Sequence, residues 1–201
     1  MMRTRTFAGK MIGSYQYLFF VLFEDYTDFA RAFITEFNNV YLERLARNLK
    51  GRGAVFVPFT ADVEDTRADV LSKDWTSDEY LQVSRVPSLL VISKDFDDFS
   101  PRSDPWVIFH FGEEHYGGPS GLAELDKTLK AIASSVTSTS EGHRTLYQIA
   151  RQVTRERPDL GLAFAVQPNI FGFSIDLIKA GSYLRGLIQD RRRPVGQQPR
   201  T

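Results

Sequence analysis

Two histidines, His110 and His115, stand five positions apart with two glutamates between them. Imidazole and carboxylate groups are zinc ligands, so this segment could hold a metal and activate water. On a helix, however, two histidines that bind one zinc are four positions apart, and Gly112 also interrupts this segment. A strand end followed by a solvated loop is the favoured interpretation. A loop that converges on one ion remains the alternative, with the ligands His110, Glu113, Glu114 and His115.

A second group of acidic side chains lies between two apolar runs: Asp95, Asp97, Asp98 and Asp104. Carboxylates in a loop can bind calcium, but the spacing of a calcium loop, with its glycine and terminal glutamate, is missing. A solvated loop between two strands is the prediction. The chain also has neither a glycine-rich phosphate loop nor a nucleophile elbow.

Cysteine is absent from all 201 residues. Disulfides, thiolate nucleophiles, cysteine-ligated zinc and iron–sulfur clusters are therefore excluded together. We expect no cofactor and a cytoplasmic location. The 25 basic residues balance the 25 acidic ones, which predicts no long-range attraction for nucleic acid. We also expect no transmembrane segment, because no stretch is long and apolar enough to span a bilayer.

Strands and helices alternate through the first two thirds of the chain. The apolar run Tyr17–Phe23 predicts a buried strand rather than a signal sequence. A helix is predicted over residues 25–50, ended by Gly51. A second strand covers 54–59, with Pro58 at its end or on a sheet edge. The apolar face of the helix is predicted to contain Phe29, Phe33, Phe37, Val40, Tyr41, Leu45 and Leu49.

The next segment begins with a polar stretch, 60–73, for which no helix or strand is predicted. Thr76 and Glu79 have the spacing of a capping box, which predicts a short helix through Tyr80 and Leu81. Two strands follow at 89–92 and 106–111, and the loop between them makes an antiparallel pair the expectation. A helix over 121–136 then presents an inner face of Leu122, Leu125, Leu129, Ile132 and Ala133.

This order of strand, helix, strand, helix, strand, strand and helix resembles the thioredoxin fold, over Tyr15 to Thr137. Residues 78–92 resemble the stretch around the family's cis-proline, with Val86-Pro87-Ser88 at the step into a buried strand. Phe111-Gly112 resembles the end of the family's next strand, and 120–129 resembles its final helix. The resemblance implies an α/β, three-layer domain of βαβαββα order.

The redox pair of that family is missing. The stretch 23–28, which matches the position of the family's C-x-x-C motif, contains no cysteine, so thiol–disulfide exchange is excluded. The resemblance further implies that the backbone before the proline accepts an extended peptide as an added strand. A purely structural role of Pro87 in a turn is the alternative. The candidate binding residues are Val86, Pro87, Glu24, Asp25, Tyr26, Thr27 and Asp28.

A C-terminal extension follows a Ser/Thr-rich linker, 134–140. A helix over 141–157 is predicted from the stripe of Leu146, Ile149, Ala150 and Val153. Alternating large and small residues then predict a hairpin, with Phe164, Phe171 and Phe173 on its large face. That face covers the first domain or pairs with another chain, and contact with a membrane surface is the less favoured third alternative. Phe164, Phe171 and Phe173 are therefore further candidate partner-binding residues. A last helix is predicted over 177–190. The predicted divisions are 15–137, 138–193 and a disordered tail at 194–201.

The functional prediction is a non-catalytic, redox-inactive binding, adaptor or scaffold protein whose partner is another protein or a second copy. A glutathione-transferase-like enzyme is the alternative, in which Tyr26 or Thr27 activates the thiol and Pro87 holds the glutathione. The acidic–serine pair of that family is not evident at 111–114. A metal-dependent hydrolase at His110 and His115 is a further alternative.

Overall fold

The computed structural model describes residues 1–9, 13–24, 37–111, 121–137 and 146–156. Within these residues, helices pack on both faces of one five-stranded mixed sheet, which makes the domain α/β. The strands are β1 (Met2–Thr4), β2 (Tyr17–Leu22), β3 (Gly53–Pro58), β4 (Ser88–Ile92) and β5 (Trp106–His110). The α-helices are α1 (Glu43–Asn48), α2 (Val63–Leu71), α3 (Ser77–Val83), α4 (Gly121–Thr137) and α5 (Leu146–Glu156).

The strand order across the sheet is β1-β3-β2-β4-β5. Strand β3 pairs in parallel with both β1 and β2, whereas β4 pairs antiparallel with both β2 and β5. The predicted antiparallel pairing of the last two strands is confirmed. Pro58 is the last residue of β3, which lies between two strands, so the strand-end alternative holds. There its missing N–H removes little from the ladder.

Successive side chains of a strand point to opposite faces, and both faces of this sheet are buried. Phe19 and Val21 of β2 join a cluster with residues of α1, α4 and α5. Leu18 and Phe20 join a second cluster with Val70 of α2, residues of α3 and several aromatic rings. All six residues of β2 are buried, so the prediction of a buried strand over this apolar run is confirmed.

The predicted apolar face of the first long helix is wrong at Val40, whose side chain is 43% exposed. A π-helical turn, Phe37–Leu42, precedes α1. Its wider turn inserts extra residues and shifts the phase of the face. Leu42, which was not predicted, is therefore fully buried instead, together with the predicted Leu45 and Leu49. The first part of this helix, 25–36, lies outside the described residues.

Two elements were not predicted. Strand β1 is only three residues long and contains Arg3, so the sequence gives little signal for it; it is held by pairing with β3 and by the packing of Met2 against the second cluster. Helix α2, preceded by a 3₁₀ turn over Thr60–Asp62, occupies most of the stretch read as polar. Its buried residues are Val63, Thr66 and Val70, and such a narrow stripe carries little helical periodicity.

The predicted linker at 134–140 is wrong in its first part, because Ser134 to Thr137 belong to α4. The hydroxyls of Ser135 and Thr137 donate to the carbonyls of Ile132 and Ala133, one turn earlier. These local bonds satisfy polar groups that otherwise favour loops. Helix α5 has the predicted stripe buried, in the same cluster as α1 and α4. The hairpin, the last helix and the tail lie outside the described residues, and the domain divisions stay a prediction.

Candidate functional site

The candidate site lies where the carboxyl end of β2 meets the beginning of β4. The antiparallel register of these strands pairs Leu22 with Ser88. Phe23 and Glu24 directly follow Leu22 in the chain, and Pro87 and Val86 directly precede Ser88. The predicted residues Glu24, Val86 and Pro87 are therefore neighbours at one end of the sheet. The other predicted residues, Asp25, Tyr26, Thr27, Asp28, Phe164, Phe171 and Phe173, lie outside the described residues.

Among the described residues, the backbone on the Pro87 side of the Val86–Pro87 step is hydrogen-bonded, and the backbone of Val86 is not. The Val86–Pro87 peptide bond is cis. Pro87 is buried, and its carbonyl accepts a hydrogen bond of 2.9 Å from the amide of Phe111. Before the step, the amide of Arg85 donates to the carbonyl of Gln82 at 3.2 Å. The N–H and C=O of Val86 between them have no hydrogen-bond partner among the residues that the structure describes.

Val86 itself is half-buried, with its side chain packed against the cluster under α2 and α3. The side chain therefore holds the backbone in place. Backbone groups that have no partner among the described residues can pair with water or with another chain. They are the elementary requirement for adding a strand by backbone hydrogen bonds.

An arginine from α2 joins the two sides of the site. Nη1 of Arg67 lies 3.5 Å from Oε2 of Glu24, and Nη2 donates to the carbonyl of Ser84 at 3.2 Å. The side chains of Arg67 and Glu24 are 29% and 30% exposed. This Arg67 bridge therefore holds a guanidinium group against the carbonyl of Ser84, two residues before Val86. The sequence contains no signal for it, because Arg67 lies in the stretch that was predicted to be without regular structure.

Helix α3 carries the chain into the site, and its beginning is well anchored. The predicted capping box is present: Oγ1 of Thr76 accepts from the amide of Glu79 at 3.2 Å, and the Glu79 carboxylate accepts from the amide of Thr76 at 2.8 Å. Nε1 of Trp75 donates to the carbonyl of Val70 at 2.7 Å, which ties α3 to α2. The site therefore rests on two connected helices.

A shallow open cleft of about 430 Å³ lies beside the beginning of α3. It is lined by Trp75, Thr76, Ser77, Tyr80 and Leu81. Leu81 is 60% exposed and Tyr80 is 44% exposed. The lining offers apolar contact and hydroxyl groups only, so it has no charged group for catalysis.

His110 is the last residue of β5 and pairs in register with Ser88, next to the proline step. The other three candidate metal ligands, Glu113, Glu114 and His115, lie outside the described residues. Across the part of the chain that is described, no group of three or more His, Asp or Glu side chains could hold a metal ion. The acidic loop makes structural contacts instead: Asp97 accepts from the amide of Gly9, and Asp104 pairs with Lys94 at 2.6 Å.

Comparison of the chain with protein-family models, with curated proteins and with solved structures gives no match. Among the described helices, none has the length and apolar character needed to cross a membrane. Arguments about function therefore depend on the site itself.

Proposed function

We propose that this protein is a non-catalytic, redox-inactive thioredoxin-like domain that binds an extended segment of a partner protein against Val86. The observation that carries the proposal is the backbone of Val86, whose N–H and C=O have no partner among the described residues. An extended segment in antiparallel pairing would accept a hydrogen bond from that N–H and donate one to that C=O. The function is that of an adaptor or scaffold.

The thioredoxin-like part of the proposal is supported by three features. The chain order within 17–137 follows the order of strands and helices that the resemblance implies, with one additional helix, α2, and strand β1 precedes this range. The sheet has β2 at its centre, between a parallel and an antiparallel neighbour. The proline step stands at the beginning of β4, beside the end of β2. The redox-inactive part is supported by the absence of cysteine from the sequence.

A site-specific photocrosslinker tests the proposal. Benzoylphenylalanine replaces Arg85, which is exposed and adjacent to Val86, and in a matched control it replaces the exposed Lys127 on α4. After irradiation in a native extract, we expect position 85 to crosslink to a discrete protein or to a second copy of the chain, and position 127 not to. Equal labelling at the two positions, or none at position 85, would refute a partner surface here.

A second measurement establishes the mode of binding. When the captured partner is added to ¹⁵N-labelled protein, the Val86 amide should become protected from hydrogen exchange, because it now donates to the partner. Binding that leaves this amide unprotected would show that the surface is used without strand addition. Retention of the chain on immobilised glutathione would favour the glutathione-transferase alternative instead.

A further inference from the structure

The charged residues described beside Val86 are Arg67, Glu24 and Arg85. Arg67 is bound to Glu24 by one carboxylate oxygen, at a distance of 3.5 Å. A monodentate pair of this length between partly exposed side chains is weak and easily exchanged. A guanidinium group can bind a carboxylate through two parallel hydrogen bonds, which is a stronger arrangement. Because Nη2 of Arg67 also donates to the carbonyl of Ser84, the contact through Nη1 is the one that a partner carboxylate can take over from Glu24.

Two further observations point in the same direction. Nε of Arg67 is buried and has no hydrogen-bond partner among the described residues. Arg85 is exposed, directly precedes Val86, and makes no ion pair with any residue that the structure describes. The described charges on the two sides of Val86 are therefore two guanidinium groups and one carboxylate, which is already paired.

We infer that the segment bound at Val86 carries a carboxylate that binds Arg67 in place of Glu24, with Arg85 adding to the attraction. This inference rests on the proposed function, because it needs the segment to lie along Val86. Glu24 then acts as an internal competitor that occupies Arg67 until the partner arrives. Asp25 and Asp28, outside the described residues, follow Glu24 in the sequence and carry the opposite charge, so a basic segment must be tested as well.

The probes are eight-residue peptides of alternating valine and threonine with one central variable residue, acetylated at the N-terminus and amidated at the C-terminus. The variable residue is Glu, Gln or Lys. A fourth peptide combines Gln with a free C-terminus, which separates a side-chain carboxylate from a terminal one. Dissociation constants are measured by ¹⁵N chemical-shift titration of the full chain up to millimolar peptide.

We expect the Glu peptide to bind about fivefold more tightly than the Gln peptide at low salt, with the difference largely lost at about 0.5 M salt. If the free-C-terminal Gln peptide binds as tightly as the Glu peptide, the carboxylate is a terminal one. Equal binding of the Glu, Gln and Lys peptides, or tightest binding of the Lys peptide, would overturn the inference and leave the proposed function intact. No binding of any peptide would count against the proposed function.

Two substitutions test the competitor. Glu24→Gln should tighten binding of the Glu peptide about twofold, and Arg67→Gln should weaken it to the level of the Gln peptide, since each removes one side of the exchange. The preference is read in each variant as the ratio of the dissociation constants of the Glu and Gln peptides, so that a general loss of binding does not count as a loss of preference. Arg67→Lys should retain part of the preference, because it keeps the charge without the fork of donors.

If the Arg67–Glu24 pair has only a structural role, both substitutions should weaken binding of the Glu peptide. Arg85→Gln provides an independent measure, since the side chain is exposed and its removal should leave folding unchanged. Unchanged preference for the Glu peptide in both Arg67→Gln and Arg85→Gln would overturn the inference.

Discussion

The backbone groups that lie beside the two ends of strand β2 differ in their hydrogen bonding. At the beginning of β2, the amides of Gln16 and Tyr17 both donate to the carbonyl of Arg52, at 2.8 and 3.2 Å, and Nη1 of Arg52 donates to the carbonyl of Val136. We call this the closed end. At the other end, Val86 has an N–H and a C=O without a partner among the described residues. We call this the open end.

Each end contains an arginine that reaches a main-chain carbonyl, so the presence of the charge is not the difference. Arg52 joins parts of the fold that are already bonded, whereas Arg67 lies beside backbone groups of Val86 that have no partner among the described residues. Under the proposed function, the same side-chain chemistry stabilises the fold at one end and binds a partner at the other.

Hydrogen exchange should give the largest contrast. The amide of Tyr17 is bonded within the closed end, whereas that of Val86 has no acceptor among the described residues. We expect Val86 to exchange at least about a hundredfold faster than Tyr17 in the protein alone, because exchange of a bonded strand amide requires an opening of the structure. Both rates come from one NMR exchange experiment. Similar rates would remove the distinction between the ends.

Gly53 tests the packing of the closed end. A Cβ at this position would lie 2.6 Å from Cε2 of the buried Phe19 and 3.1 Å from Cδ1 of Leu49. Because a packed core relaxes little, Gly53→Ala should lower the free energy of unfolding by about 1–3 kcal/mol. Urea denaturation measures this change.

Val86→Ala is the matched control for Gly53→Ala. Because the side chain of Val86 is only half-buried, its truncation should lower the free energy of unfolding by less, about 1 kcal/mol. A larger loss of stability at the open end than at the closed end would contradict the comparison.

Thr76 tests the support of the open end through α3. Thr76→Ala removes the acceptor for the Glu79 amide and should cost about 1 kcal/mol. Thr76→Ser keeps the hydroxyl and should cost much less. Exchange should quicken in α3 and remain unchanged in β2, as an amide-resolved measurement would show. Uniform quickening in both elements would mean that α3 does not serve the open end separately.

The smallest effect concerns an ion-pair network away from both ends. Asp126 on α4 pairs with Lys130 at 2.5 Å and with Arg44 at 2.6 Å. Burial alone would raise the pKa of Asp126, but the bonds to Lys130 and Arg44 outweigh it and hold the pKa below its ordinary 3.8. The charged form is therefore favoured in the folded state. Its contribution is present above the ordinary pKa and is lost as the pH falls through the folded pKa.

Because Arg44 and Lys130 are largely exposed, the contribution should be only about 0.5 kcal/mol. The stability of the wild type minus that of Asp126→Asn should be greatest near neutral pH and shrink in acid. Exchange at Val86 should not change in this variant. A difference that grows as the pH falls would show that the sign is wrong.

Much of the sheet could be predicted from local sequence. The apolar runs of β2, β3, β4 and β5 are continuous because both faces of the sheet are covered. The capping box at Thr76 is likewise a local pattern. The parts that were missed depend on distant residues: β1 needs β3 to exist, and the position of Val40 depends on a π-helical turn that the apolar spacing does not reveal.

The candidate site could be predicted only in part, because it too depends on contacts between residues that are far apart in the chain. Val86, Pro87 and Glu24 could be named from the sequence, but Arg67 could not. Arg67 and Glu24 are 43 positions apart, and no periodicity connects them. Only the packing of α2 beside the end of β2 brings these two charges together.

Composition alone establishes that the side chains of this sequence offer no thiol chemistry, because that chemistry requires a cysteine thiolate. The sequence by itself also determined where the buried strands lie, since apolar runs fold wherever they can leave water. Which backbone groups lack a partner among the described residues, and which charge lies beside them, follows only from the three-dimensional packing. Those properties depend on pairing between residues far apart in the chain, which local patterns do not encode.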